Sequence, residues 1–161
     1  MNTTTTTNVP AGLESRVLRE GYGPGAWHGA DLNAALADVT PALAFRRPAA
    51  GRHNIAEIAV HHAYCTRAVR AQLSGIAPEP FVLEGDDWFD LPDEQALTWV
   101  EVRATVAREW RELTALVTDV DAGNARSPLG DAERFTLVLG ITCHAIYHAG
   151  QVQLVKRLRQ E

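Results

Sequence analysis

The chain is organised around its C-terminal segment, residues 130–161, which reads GDAERFTLVLGITCHAIYHAGQVQLVKRLRQE. Apolar residues recur there at the three- and four-residue spacing of an amphipathic helix, from about Asp131 to Leu158. Within this helix His144 and His148 are four residues apart, so their imidazoles share one face. A metal ion can take one nitrogen from each ring. The alternative is a pair of core or surface histidines that share a face by chance, and the spacing alone favours that alternative.

The composition argues against two classes of partner. The net charge is -5 with neutral histidines, whereas a nucleic-acid binder needs a basic patch that neutralises phosphates. No apolar run approaches the roughly 20 residues that span a bilayer. The start of the chain lacks both the basic and the apolar regions of a secretory signal. We therefore expect a cytoplasmic protein with no nucleic-acid or membrane partner.

Helical periodicity predicts an all-α protein. Apolar residues recur at helical spacing in four segments, and no strand pattern of useful length interrupts them. Asn54 and Glu57 form a capping-box pattern, and Pro92 suits the first turn of a helix. The predicted helices cover residues 31–39, 54–73, 92–120 and 131–158. Their lengths favour an antiparallel four-helix bundle that forms a single domain over residues 13–161.

Before residue 31 the sequence predicts little regular structure. Residues 1–12 are polar and rich in threonine, which predicts a flexible tail. Residues 13–20 can make two helical turns, and the glycines and the proline of residues 21–25 are expected to end them. The short helix at residues 31–39 is therefore the predicted first helix of the bundle.

Histidines on two predicted helices suggest a metal site. His61 and His62 lie in the middle of the second helix. If the second and fourth helices pack side by side, one of these two residues can face His144 and His148. Three imidazoles with an open position describe a catalytic-type site, and nitrogen ligands suit Zn, Ni, Cu or Fe. The apolar stripe of the second helix points His62 inward, so the residues alone leave the choice between His61 and His62 open.

Four stretches carry a resemblance to a known family. In chain order they are GAWHG at 25–29, RHNIAEIAVH at 52–61 followed by Ala63 and Tyr64, DW at 87–88, and GITCHAIYHAGQV at 140–152. Together they resemble the DinB-like superfamily, also called the DinB/YfiT-like fold, whose members are described as metalloenzymes. The resemblance extends from about Gly21 to Leu158. Its specific parts are the last stretch and the Ile-x-Glu-Ile-x-x-His motif.

The resemblance implies a four-helix bundle with a three-histidine metal site. By the spacing of the family motif the ligands fall on His61, His144 and His148, and the cofactor would be a divalent transition metal, Zn or Ni being expected. The chain departs from the family at two positions. His62 stands where many members carry an aliphatic residue, which leaves the ligand assignment open by one position. Cys65 stands where many carry Trp, which can enlarge the pocket or change its polarity.

Three further residues are candidates for the pocket or for contacts behind the ligands. Gln151, one turn beyond His148, can hydrogen-bond the second nitrogen of a ligand or a bound water, or it can be an ordinary core residue. Tyr147 can donate to a substrate or simply pack. His28 follows a glycine-rich turn, and it is either a pocket residue near the open metal position or a hydrogen-bonded loop histidine.

The two cysteines, Cys65 and Cys143, are too few for a disulfide framework. Both are expected to be small buried hydrophobic residues. Because Cys65 follows His61 by four residues, a ligand role for it stays open. No side chain stands out as a protein nucleophile, so no catalytic residue is assigned.

The resemblance also suggests an activity. Characterised relatives include thiol-dependent S-transferases and a thiol-dependent isomerase, so we expect a metal-activated thiolate that is transferred to an electrophilic small molecule. A metal-dependent hydrolase is a second enzymatic interpretation. The alternatives are a non-catalytic metal-binding stress-response protein and a structural bundle whose histidines bind nothing. An apolar bundle of this size, and the family, both suggest a homodimer.

Overall fold

The computed structural model describes residues 12–158, and within that range the chain forms six helices and no strand. The helices are α1 (Leu13–Tyr22), α2 (Leu32–Leu36), α3 (Pro41–Ala44), α4 (Ile55–Ser74), α5 (Trp99–Asp121) and α6 (Asp131–Arg157). The predicted all-α class is confirmed. The predicted tail, apart from Gly12, lies outside the described residues. Among the helices that the structure describes, none is long and apolar enough to cross a membrane.

The N-terminal helix α1 is also part of the core, although the predicted bundle began only at residues 31–39. It packs against α5 and α6, and its Leu18 is fully buried in that contact. The predicted first bundle helix shrinks to α2, which packs mainly on α6. It is short because the chain turns again at Thr40, whose hydroxyl caps the next helix at the Leu43 N–H.

The predicted break at Gly21 is also wrong, because α1 continues through Tyr22. Gly21 is needed for close packing and not for a turn. A Cβ at this position would lie 2.9 Å from the Trp110 ring and 3.1 Å from the Ala145 Cβ. The absence of a side chain at Gly21 therefore lets α1 approach α5 and α6.

Helix α5 begins at Trp99 and not near Pro92 as predicted. Thr98 and Glu101 form a capping box at its start, and this pair defines the N-terminus more strongly than a first-turn proline does. The Trp99 indole N–H donates to the Val39 carbonyl at 2.7 Å. Residues before Thr98 therefore belong to a long connection between α4 and α5.

The predicted capping box at the start of α4 is present, and it also holds that connection in place. The Glu57 carboxylate is fully buried and accepts from the Leu91 N–H at 3.0 Å and from the Arg47 guanidinium. The Asn54 side-chain amide donates to the Leu91 carbonyl at 2.7 Å. These bonds hold the connection against α4 at Leu91, three residues after Trp88.

Helix α4 packs against both α5 and α6, and two clusters of buried apolar side chains fill the interior. On α6, one cluster includes Ala145 and residues before it, and the other begins at Ala149. The boundary between the two clusters therefore falls at the turn of α6 that carries His144 and His148.

Candidate metal centre

Three histidine side chains from α4 and α6 converge at this boundary. His61 Nε2 lies 3.1 Å from His144 Nε2, and His148 Nε2 lies 2.9 Å from the same atom. His61 and His148 are buried, and His144 is half-buried. The packing of α4 beside α6 thus brings together the three residues predicted as ligands. Their role as ligands stays a prediction.

Cys65 adjoins the same cluster. Its Sγ lies 3.8 Å from His61 Nε2, and the ligand atoms of His61, Cys65 and His144 all lie within 4.8 Å of one another, so this group could hold a metal ion. Burial raises the pKa of the Cys65 thiol to about 11. The thiol therefore keeps its proton near neutral pH unless a cation stabilises the thiolate. Two sets of three ligands are therefore possible. Both contain His61 and His144, and the third ligand is His148 in one set and Cys65 in the other.

Contacts on the far side of two rings define which nitrogens are free. His61 Nδ1 lies 2.8 Å from the Asp87 carbonyl, which can only accept, so in the neutral ring Nδ1 carries the proton and Nε2 carries a lone pair. His148 Nδ1 donates to Gln151 Oε1 at 2.6 Å, and the Gln151 amide in turn donates to the Tyr147 hydroxyl at 3.0 Å. The Nε2 of His148 is therefore also unprotonated. Such contacts behind the ligand are typical of metal-binding histidines.

The cluster is electrostatically suited to a cation. Burial lowers the pKa of His144 and that of His148 to about 4, and neighbouring imidazoles add to the effect. The Nε2 lone pairs of His61 and His148 both face His144 Nε2, and a neutral His144 can bring at most one proton to that point. At least one of the two contacts therefore lacks a hydrogen. A transition-metal ion would accept lone pairs from all three nitrogens, so the donor set fits such an ion.

The loop residue Trp88 covers the cluster on one side. Its indole stacks on the His61 ring at 3.9 Å between centroids and 3° between planes, and its other stacking partner is His53 at 3.8 Å and 11°. The preceding residue, Asp87, has a left-handed backbone (φ 61°) and places a carboxylate oxygen 3.2 Å from His61 Nδ1. In the sequence, this dipeptide stands out only through the family resemblance. Its contacts with His61 were not predicted, because a loop-to-helix contact has no periodic signal.

His62 faces the interior, as its apolar stripe predicted, but on the other side of His144. It is 1% exposed, and burial holds its pKa well below the usual range. Its Nδ1 lies 3.2 Å from His144 Nδ1, and its Nε2 lies 3.3 Å from the Thr66 hydroxyl. Adjacent residues on a helix point about 100° apart, which lets His61 and His62 flank the same α6 side chain. His62 therefore contacts the ring of His144 away from the three converging Nε2 atoms.

Two predicted features lie elsewhere. The His28 ring is exposed, and its Nε2 donates to the Glu20 carbonyl at 2.7 Å. Of the two alternatives, His28 is therefore the hydrogen-bonded loop histidine and not the pocket residue. Cys143 is exposed, so the expectation that it is buried is wrong. It lies on α6 directly before His144 and therefore points away from the face that α4 covers.

A cavity of about 630 Å³ adjoins the cluster. Trp88, Tyr147 and Gln151 line it and also contact the histidines or their partners. Apolar side chains make up much of the wall, and Arg52 and His53 bring nitrogen donors, with no carboxylate among the described lining residues. Its volume lies in the range of small-molecule sites.

Comparison with known proteins gives the family of the chain. No curated protein and no solved structure matches the chain. The sequence model of the DinB superfamily matches residues 26–152, which include α4, the Trp88 loop and α6 as far as residue 152. The chain belongs to the DinB superfamily.

Proposed function

We propose that this protein is a metal-dependent enzyme that transfers a low-molecular-weight thiol to an electrophilic small molecule. The observation that carries the proposal is the meeting of three imidazole nitrogens next to a cavity whose lining residues Trp88, Tyr147 and Gln151 contact the histidines. His61, His144 and His148 would hold a divalent transition metal, for which Zn and Ni suit the nitrogen donors best. A metal bound there would lower the pKa of a coordinating thiol and supply a nucleophilic sulfur near neutral pH.

The chain's own residues would orient this reaction. Gln151 and Asp87 would keep the ligand rings in place through their outer nitrogens. Trp88 would exclude water from one side of His61, and the cavity would bind the electrophile. In the transfer the thiol S–H proton leaves to solvent, the sulfur lone pair forms the new C–S bond, and the leaving group departs with its bonding electrons. The protein supplies no nucleophile in this scheme.

Metal analysis and a thiol-consumption assay together test the proposal. Protein purified without chelator, or reconstituted with Zn²⁺ or Ni²⁺ after chelation, is expected to hold one ion per chain. It should then accelerate the loss of an activated aryl halide in the presence of a small thiol, and His144→Ala should abolish both properties. No metal bound after reconstitution would overturn the proposal, and so would bound metal with no turnover across several thiols.

Cys65 favours a second candidate, a non-catalytic metal-binding protein of the stress-response type. A fourth ligand from Cys65 would close the coordination sphere of the three histidines, as in structural zinc sites. X-ray absorption of the Zn²⁺-loaded protein separates the two candidates. A sulfur ligand that disappears in Cys65→Ser supports the closed site, whereas a shell of nitrogen and oxygen atoms supports the open one.

The arrangement of the helices and the oligomeric state are also part of the proposal. We infer that α1, α4, α5 and α6 form an antiparallel four-helix bundle, which is supported by the packing of α4 and α1 each against both α5 and α6. A cytoplasmic homodimer remains part of the proposal. Its support is the exposure of apolar side chains on α6, such as Leu154, and light scattering of the purified protein tests the oligomeric state.

A further inference from the structure

A short hydrogen-bonded chain runs from α4 to the middle ligand of the proposed site. Thr66 is 1% exposed, and its hydroxyl lies 2.8 Å from the His62 carbonyl and 3.3 Å from His62 Nε2. The hydroxyl has a single proton, and the shorter contact, to an atom that can only accept, takes it. Towards His62 Nε2 the Thr66 oxygen can then only accept. The proton of the His62 ring therefore sits on Nε2.

The tautomer of His62 in turn favours one tautomer of His144. With its proton on Nε2, a neutral His62 presents a lone pair at Nδ1, 3.2 Å from His144 Nδ1. A proton on His144 Nδ1 can donate to this lone pair, so His62 stabilises the tautomer of His144 that is protonated at Nδ1. His144 Nε2 is then unprotonated and available at the point where His61 and His148 also present lone pairs.

We propose that His62 is a positioning residue that, together with Thr66, holds His144 in the tautomer that binds metal. The inference rests on the proposed metal site and adds a role for a side chain that is not itself a ligand. His62 is 1% exposed and lies against Trp110, at 5.7 Å between ring centroids, so its ring has little freedom to turn. The other two ligand rings obtain the same tautomer from Asp87 and Gln151.

Substitutions on the two side chains test the relay. Thr66→Val keeps the shape of the side chain and removes the acceptor for His62 Nε2. Thr142→Val is the matched control, because Thr142 is equally buried and donates to the Val138 carbonyl at 2.7 Å, with no imidazole contact among the described residues. His62→Leu removes the acceptor for His144, whereas His62→Asn places an amide oxygen near the position of Nδ1.

Zn²⁺ affinity, measured by competition with a chromophoric chelator, is the first readout. Thr66→Val and His62→Leu should weaken Zn²⁺ binding by about 10- to 100-fold, as expected for a partner behind a ligand. His62→Asn should recover most of that loss, and Thr142→Val should bind as the wild type does. Equal affinities for all four variants would overturn the proposal. So would the finding that every His62 variant loses the ion while His61→Ala keeps it, because His62 would then be a ligand.

The ring tautomers of the metal-free protein are the second readout, from long-range ¹H–¹⁵N correlation spectra. The fraction of His144 that is protonated at Nδ1 should be larger in the wild type than in Thr66→Val. This measurement stands even if the wild type binds no Zn²⁺, in which case the proposed function fails while the relay is still tested. Equal fractions of the two His144 tautomers in the wild type and in Thr66→Val would overturn the relay. Thermal unfolding of the metal-free variants checks that each one is folded.

Discussion

Acid should destabilise the metal-free protein through His148. This side chain is 2% exposed, and burial lowers its pKa from 6.5 to about 4. Because the pKa in the folded protein lies below that in the unfolded chain, the unfolded state binds more protons between these two values. The contribution of neutral His148 to the free energy of unfolding is therefore fully present above about pH 6.5 and is lost as the pH falls towards about 4.

The size of the effect follows from the difference between the two pKa values. One pKa unit corresponds to about 1.4 kcal/mol, so moving from about pH 7.5 to about pH 4.5 should remove about 2.5 kcal/mol of unfolding free energy through His148 alone. His144 has a similarly lowered pKa but is half-buried. Solvent screening makes its contribution smaller.

Urea denaturation of chelator-treated protein at the two pH values measures this loss. His148→Gln cannot take up the proton, so its pH-dependent loss should be smaller than that of the wild type by about 2 kcal/mol. His28→Gln is the matched control, because His28 is exposed and lies outside the cluster, and it should leave the loss unchanged. If His148→Gln loses as much stability on acidification as the wild type, the account of a buried neutral His148 is wrong.

Four further substitutions test the packing and the loop. Gly21→Ala should lower the free energy of unfolding by about 1–3 kcal/mol, because the new Cβ would crowd the Trp110 ring. Gly140→Ala on α6, where nothing lies within 4 Å of the new Cβ, should raise it by about 0.5–1 kcal/mol. Equal effects of the two substitutions in urea denaturation would show that Gly21 is not needed for close packing. Glu57→Gln should lower the free energy of unfolding by about 2 kcal/mol and weaken Zn²⁺ binding, because it loosens the loop that covers His61. An unchanged Zn²⁺ affinity in chelator competition would show that the loop does not support the metal site. Trp88→Ala should weaken Zn²⁺ binding by about tenfold. It should cost little thermal stability, because Trp88 is 36% exposed. A Zn²⁺ affinity equal to that of the wild type would show that the stacking on His61 does not contribute to metal binding.

The sequence predicts well where a property is periodic or local. The helix that carries His144 and His148 was predicted close to its observed bounds, because its apolar spacing persists over many turns. The Asn54–Glu57 capping box was found for the same reason, since its two residues interact within one helical turn. The mid-helix histidine pairs made a convergence of α4 and α6 possible, and the family resemblance supplied the set His61, His144 and His148.

The sequence predicts helix ends and side-chain orientation poorly where contacts between distant parts of the chain determine them. Gly21 looked like a helix breaker, yet it is a helical residue that allows close packing on Trp110. Pro92 looked like a helix start, but the Thr98 capping box lies further along the chain. His61 and His62 could not be separated by one apolar stripe, because both face the same α6 side chain from opposite sides. These outcomes depend on neighbouring helices that local patterns do not describe.

The ligand set is the central claim, and calorimetric titration of Zn²⁺ into chelator-treated variants tests it most directly. His61→Ala, His144→Ala and His148→Ala should each reduce the affinity of the single site by at least about 100-fold, whereas Cys65→Ala should leave it within about threefold of the wild type. Tight binding retained in His148→Ala and lost in Cys65→Ala would contradict the three-histidine site and would place Cys65 in the ligand set in its stead.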